Sequence, residues 1–354
     1  MAATLFTIVG LGEALFDLLP DRQVLGGAPL NVAVHAHQLA APLGGRGVVV
    51  SRIGQDELAE RVIEELRRRG MTGQYLQSDP DHDSGRVYVS VDAQGQPDYE
   101  IVRDVAWDWI QYDPDLEDIA HRCEAVCFGT IAQRNSQSRH TIYRFLDACA
   151  NRAIRMFDVN LRQCYYDQNV LRRSCEFANV VKLNTDELES VTSLLAVGSP
   201  GDGVDDRIRG LIRMFDLRLV VLTRGRDGTV LYSASESASE KQESEPVHGK
   251  PAPGADAVGA GDACAAAVLI GLVLHWPMDR IVRLANHAGA YVASQPGATP
   301  VLPQSIMDMA ASQGATGQRG AKASDGATAR PAAAGKLRDK GRKRTKKTKK
   351  NKVT

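Results

Sequence analysis

Short apolar runs separated by amphipathic stretches recur along most of the chain. Residues 5–10, 48–51, 126–129, 155–158, 180–184 and 219–223 are runs of four to six residues bounded by glycine or polar residues. Such runs suit strands buried on both faces. Between them, residues 57–69 and 140–152 space their apolar positions as amphipathic helices do, and residues 175–177 occupy the next helical place. Alternation of this kind predicts an α/β fold with a mainly parallel sheet and helices on both faces. Residues 86–91 and 98–103 alternate apolar and polar positions around the turn sequence 92–97, the pattern of a β-hairpin. An exposed hairpin does not belong in a parallel sheet, so it is expected to form a small lid from residues 13–25 and 85–103. Residues 229–233 read as a return strand, and the polar stretch 235–245 as a mobile hairpin tip.

The most apolar helical run, residues 263–274, is preceded by Gly259-Ala260-Gly261-Asp262 and ended by Pro277. This reads as a tight loop opening a buried helix. The first backbone N–H groups of a helix lack helical partners and favour an anion, and glycine lets the backbone approach that anion closely. A lone carboxylate at a helix start is ordinarily a cap. Beside an anion nest, however, it can take a proton from a hydroxyl while the nest holds a phosphate, which is what transfer from ATP to an alcohol requires. The residues alone support a phosphate near a carboxylate. Gly26-Gly27-Ala28-Pro29-Leu30-Asn31 is a second glycine-led helix start. Gly10-Leu11-Gly12 invites comparison with a dinucleotide fingerprint, but the third glycine is missing and Asp17-Leu-Leu-Pro20 follows instead of a helix, which excludes NAD.

The zero formal charge of the 354 residues hides a split. Residues 319–354 hold 14 Lys/Arg and 2 Asp/Glu, leaving 29 basic against 41 acidic residues in the rest. An acidic body, expected as one domain over residues 1–311, thus carries a basic tail. Residues 312–354 are of low complexity and are expected to be disordered. Lysines without interleaved aromatics point to weak, non-specific polyanion binding. The six cysteines show no zinc spacing and read as reduced, mostly buried thiols. No apolar run approaches the ~20 residues that span a bilayer, and the start Met-Ala-Ala-Thr-Leu-Phe lacks signal-peptide features. The expectation is a cytoplasmic protein without membrane contact.

Asp256-Ala-Val-Gly-Ala-Gly-Asp262, together with Gly26-Gly-Ala-Pro-Leu-Asn31-Val-Ala, resembles the two motifs of the PfkB, or ribokinase-like, carbohydrate kinases. Gly12-Glu-Ala-Leu-Phe-Asp17 is most like the fructokinase branch. The resemblance covers about residues 5–303 and implies a ribokinase-like three-layer α/β/α sandwich with a β-lid. It implies that Asp262 is the catalytic base and that Gly259, Ala260 and Gly261 form the anion hole. Asp17, Gly26, Gly27 and Asn31 would contact the sugar, with Arg103 and Arg162 as further substrate contacts. Asn184, Thr223, Gly225, Gly228, Gly261 and Asn286 would line the ATP site. Glu187 would hold Mg²⁺ through water, since Mg²⁺ dehydrates reluctantly, and Asp256 is a candidate K⁺ ligand with carbonyls of residues 292–297. Ala257 stands where Thr is usual, Cys264 where Phe is common, and Val301 where some relatives have a hydroxyl. The implied reaction is ATP-dependent phosphorylation of a primary hydroxyl of a small sugar, with a homodimer as one arrangement. A sugar-acid kinase, such as 2-keto-3-deoxygluconate kinase, stays open. So does a non-catalytic protein of this fold binding nucleic acid through its tail, against which the intact Asp262, Asn184 and Glu187 argue.

Overall fold

Thirteen strands and ten α-helices alternate along the described part of this computed structural model, which comprises residues 6–20, 22–91, 97–199, 201–234 and 240–312. The strands are β1 (Phe6–Leu11), β2 (Leu15–Leu18), β3 (Gln23–Gly26), β4 (Gly45–Ile53), β5 (Leu76–Ser78), β6 (Gly85–Val91), β7 (Pro97–Ile101), β8 (Ala125–Phe128), β9 (Ile154–Asp158), β10 (Val180–Asn184), β11 (Leu219–Thr223), β12 (Thr229–Ser233) and β13 (Glu240–Glu243). The helices are α1 (Ala28–Ala40), α2 (Glu57–Arg68), α3 (Pro114–Arg122), α4 (Ser136–Ala148), α5 (Gln168–Phe177), α6 (Thr185–Leu195), α7 (Val204–Phe215), α8 (Ala260–Val273), α9 (Met278–Val292) and α10 (Gln304–Ala311).

Nine strands form one sheet in the order β13-β12-β11-β10-β9-β8-β1-β4-β5. All neighbours from β11 to β5 are parallel, and β12 and β13 return antiparallel at one edge. Successive side chains of a strand face opposite ways, so each strand feeds two cores. Val126 and Phe128 of β8 pack with Leu116, Phe145, Leu171 and Leu188 from the helices of one face. Ala125 and Cys127 pack with residues of α1, α8 and α9 on the other. The result is a three-layer α/β/α sandwich, as expected. Helix α1 sits directly on the sheet backbone: a Cβ on Gly10 would lie 1.9 Å from the Pro29 carbonyl oxygen, and one on Gly47 would lie 2.0 Å from that of Ala33.

A separate four-stranded sheet runs β3-β2-β6-β7 and takes in both stretches expected in the lid. Its β2–β6 pair is parallel and its two outer pairs are antiparallel. The turn expected at 92–97 falls largely outside the described residues.

Several boundaries differ from expectation, with α5 starting at Gln168 ahead of the expected 175 and β4 running Gly45–Ile53 beyond the expected 48–51. Helix α8 begins at Ala260, which brings Gly261 and Asp262 inside its first turn. Helix α4 starts at Ser136, because the Asn135 side chain accepts the Gln137 N–H and caps it there. Part of the expected hairpin tip is strand β13, paired with β12 from Glu243↔Val230 to Glu240↔Ser233. Its charged side chains suit an open sheet edge, and Arg224 meets Glu243 at 3.0 Å there. The chain divides into units Met1–Ser312 and Gln313–Thr354. The expected basic tail lies outside the described residues. Among the described residues no helix is long and apolar enough to cross a membrane.

Candidate active site

Strand β1 is flanked by β4 on one side and β8 on the other, so the chain leaves it in opposite directions. The crevice beyond the carboxyl ends of strands at such a point is where open α/β sheets bind ligands. The loop after β1, the ends of β9, β10 and β11, and the first turn of α8 all supply polar groups on this side of the sheet.

Gly259 is the N-cap of α8, in the left-handed conformation with φ 79° and with no side-chain cap. The Ala260 N–H reaches back to the Ala257 carbonyl at 3.3 Å, and with no side-chain cap the amides of Gly261 and Asp262 are left to a ligand or water. Asp262 does not cap its own helix. Its Oδ2 accepts a 2.9 Å hydrogen bond from Asn31 Nδ2, across 231 residues of chain. The carboxyl is only 7% exposed, and its pKa is pushed up to about 6, first by burial and then by Asp158, against the pull of Lys182, Asn31 and Arg162. It is a base at neutral pH and loses that capacity as the pH falls through about 6.

Asn31 is held by the start of α1. Gly27, with φ 107°, is the N-cap and offers no side chain. The missing cap comes from Glu13 instead, whose Oε1 accepts the Ala28 N–H at 3.2 Å. Glu13 is buried, and burial pushes its carboxyl up to about 7, with Asp262 adding to the effect. Its Oε2 and the Oδ1 of Asn31 are buried without a hydrogen-bond partner.

On the small sheet, Asp17 of β2 is half-buried, and its carboxyl is pushed up to about 6 by burial and then by Asp256, with Arg162 opposing. Gly26 leaves room for it: a Cβ there would lie 2.9 Å from Asp17 Oδ2. Arg162 is exposed, yet its charge reaches Glu13, Asp17 and Asp262 alike. Arg103 stands apart from these carboxylates. Its Nε donates to the Tyr165 hydroxyl at 3.2 Å, and its guanidinium lies over that ring.

The residues expected to line the ATP site share one cavity of about 740 Å³, whose walls include Asn184, Thr223, Gly225, Gly228, Gly261 and Asn286. Asn286 Nδ2 donates to Ser244 Oγ at 2.9 Å, while its buried Oδ1 has no partner. Asn184 and Glu187 form a reciprocal capping box on α6. Glu187 Oε2 accepts from Asn184 N at 2.9 Å and its Oε1 from Leu161 N at 3.0 Å. With both oxygens engaged, Glu187 fits a hydrated metal held through water, not direct ligation. Among the described residues no three His, Cys, Asp or Glu side chains gather into a metal cluster. Asp256 Oδ1 accepts the Val258 N–H at 3.1 Å, and its Oδ2 lies 4.0 Å from the Arg22 guanidinium.

Sequence reasoning passed over Lys182 and Glu13, and noted Asp158 only as a polar strand end. Lys182 Nζ donates to Asp158 Oδ1 and Oδ2 at 2.8 and 3.0 Å, in full burial. The signal was there: a lysine inside the apolar run Val180-Val-Lys-Leu, and a glutamate just after the apolar run 5–10. Such groups are almost never fully buried unless paired.

Curated proteins similar to this chain include fructokinases. The fructokinase of Escherichia coli is 29% identical over 314 residues, covering 83% of this chain and 95% of that protein. The fructokinase of Salmonella typhimurium is 28% identical over 317 residues, with the same coverage. Among solved structures, a double mutant of Vibrio cholerae O395 fructokinase with fructose, ADP and potassium ion bound superposes with a TM-score of 0.71 at 26% identity, covering 87% of this chain and 98% of that one. Residues 21–305 match the pfkB family carbohydrate kinase profile, and the chain belongs to that family.

Proposed function

We propose that this chain transfers the γ-phosphoryl group of ATP to a primary hydroxyl of fructose or a closely similar sugar. The observation that carries the reading is the buried Asp262 carboxylate, tied to Asn31 at 2.9 Å and one residue from Gly261 on the wall of the nucleotide-sized cavity. Asp262 accepts the hydroxyl proton, the resulting oxygen nucleophile attacks the γ-phosphorus, and the bond to the β-phosphate oxygen breaks to leave ADP. The amides of Gly259, Ala260 and Gly261 hold the charge on the transferred group, that of Ala260 turning to it from a long 3.3 Å bond to the Ala257 carbonyl. Asn184, Thr223, Gly225, Gly228 and Asn286 surround the nucleotide, with the orphaned Asn286 Oδ1 available to an amino donor of the base. Glu187 would hold, through water, a Mg²⁺ bound with ATP, which would supply charge neutralisation of the phosphates. K⁺ has weaker support in this chain, because the Arg22 guanidinium already faces Asp256, and no step here depends on it. The test is a coupled ADP-release assay over a panel of hexoses and sugar acids. A clear preference for a sugar acid, or release with none of the panel, overturns the fructokinase-like reading.

Asp17, Gly26, Gly27 and Asn31 form the sugar side in this reading, with Arg162 facing the same carboxylates. Asp17→Ala should weaken sugar binding by about 1.5–3 kcal/mol for each hydroxyl bond lost, the range for bonds to a charged group, with ATP binding unchanged. Equal weakening of ATP binding would make Asp17 a structural residue. In the wild type, sugar affinity should also fall as Asp17 takes up its proton near pH 6.

The basic residues beyond 318 are proposed to bind polyanions through charge alone. A chain ending near Gly317 should keep its melting temperature and turnover, while losing a weak DNA affinity that fades steeply with salt. Loss of phosphorylation on truncation would bring the tail into the active site instead.

A further inference from the structure

We propose that Asp158 and Lys182 form an oriented charge pair that positions the transfer centre, the positive end lying under the anion hole at Gly261 and the negative end facing Asp262. This rests on the phosphotransfer reading above and adds two residues to it. The adjacent parallel strands β9 and β10 set Asp158 and Lys182 level with each other. Both side chains are almost fully buried, and both carboxylate oxygens hold the ammonium. A Cβ on Gly261 would lie 3.2 Å from Lys182 Nζ, so the ammonium backs directly onto the first turn of α8.

Burial, the largest influence on Lys182, favours the neutral amine. Asp158, Cys264 and Asp262 together outweigh it, Asp158 foremost, so the ammonium holds its proton more tightly than usual. Buried ion pairs are often no more stabilising than apolar replacements of similar volume, so stability is a poor reason to keep one here. A fixed positive charge beneath a phosphoryl site has a chemical use, because it needs no reorganisation as charge develops. Asp262 feels the two ends with opposite sign: Asp158 raises its proton affinity and Lys182 lowers it. The other groups acting on Asp262 are Asn31 from α1, Arg162 from the loop after β9, Glu13 from the loop after β1, Cys127 of β8 and Cys264 on its own helix.

The test measures kcat against pH, at saturating ATP and fructose, for Lys182→Met, Asp158→Asn and the double variant, alongside thermal melting. Each variant should lose ~10²–10³-fold in turnover, the scale of removing an electrostatic stabiliser. The acid limb should move to higher pH in Lys182→Met and to lower pH in Asp158→Asn, by roughly one pH unit each. Either single variant leaves a buried charge alone and can fail to fold, so the double variant decides. Its melting temperature should return towards the wild-type value while its turnover does not. A double variant with near wild-type turnover, one that does not fold, or single-variant limbs that stay put or move the same way would each overturn the proposal. Wild-type protein that phosphorylates no sugar would sink the phosphotransfer reading itself, before any variant is compared.

Discussion

Asp262→Asn should lower turnover by ~10²–10⁴-fold, the usual contribution of a positioned general base, while ATP binding and the fold persist. The amide keeps the shape of the carboxylate and can still accept from Asn31 Nδ2 through its oxygen. The cavity walls at Thr223, Gly225, Gly228 and Asn286 do not involve the reacting oxygen of Asp262. Stability supplies an independent check through its sign. The Asp262 carboxyl is raised from 3.8 to about 6 in the folded protein, so its ionised form at pH 7–8 opposes folding. The asparagine variant should therefore melt higher than wild type at pH 8, and the difference should vanish as the pH falls through 6 towards 4. Single-turnover kinetics and a melting series at those pH values check both halves. Near-normal turnover would remove Asp262 from the proton transfer, and a variant less stable at pH 8 would contradict the burial argument.

The fold was legible because buried parallel strands leave a coarse signal. Runs such as Leu219–Thr223 and Thr229–Ser233 end where the structure ends them, since a polar or glycine residue stops each one. Strand β13 was not legible, because an edge strand has only one paired side and its Glu-Lys-Gln-Glu sequence reads like a loop. The site was legible where backbone demands glycine, at Gly26-Gly27 and Gly259-Ala-Gly261. It was less legible where a side chain has meaning only through a distant partner. Glu13 caps α1 from 15 residues away, and Lys182 finds Asp158 across 24 residues. Asn184 and Glu187 show the converse, since the spacing that makes a helix cap also suits the hydrated metal proposed above, and the residues alone do not separate the two.

Gly259→Ala should cost at least ~10² in turnover, the scale of losing one anion-hole donor, although no ionisable group is touched. Gly259 has φ 79°, a left-handed conformation that costs an L side chain about 1–2 kcal/mol. The second obstacle is larger, because a Cβ there would lie 2.1 Å from the Ala298 carbonyl oxygen. Relief requires either the first turn of α8 or the segment around Ala298 to move. If the turn moves, the Gly261 amide leaves the position proposed for it against the phosphoryl group, and the Ala260 N–H loses its 3.3 Å bond to the Ala257 carbonyl. If the Ala298 segment moves, the bond from its carbonyl to His35 at 3.0 Å breaks, and that leaves a buried imidazole of α1 unsatisfied beside Asn31. Both routes displace the anion hole relative to Asp262, so kcat should fall much more than the affinity for ATP or sugar. Gly225→Ala is the control: its φ is also positive, but a Cβ there meets nothing within 4 Å, so backbone strain acts without the collision. Steady-state kinetics with ATP and sugar varied separately read the contrast. Equal losses in the two variants would show that strain alone, and not the collision with Ala298, governs the loop.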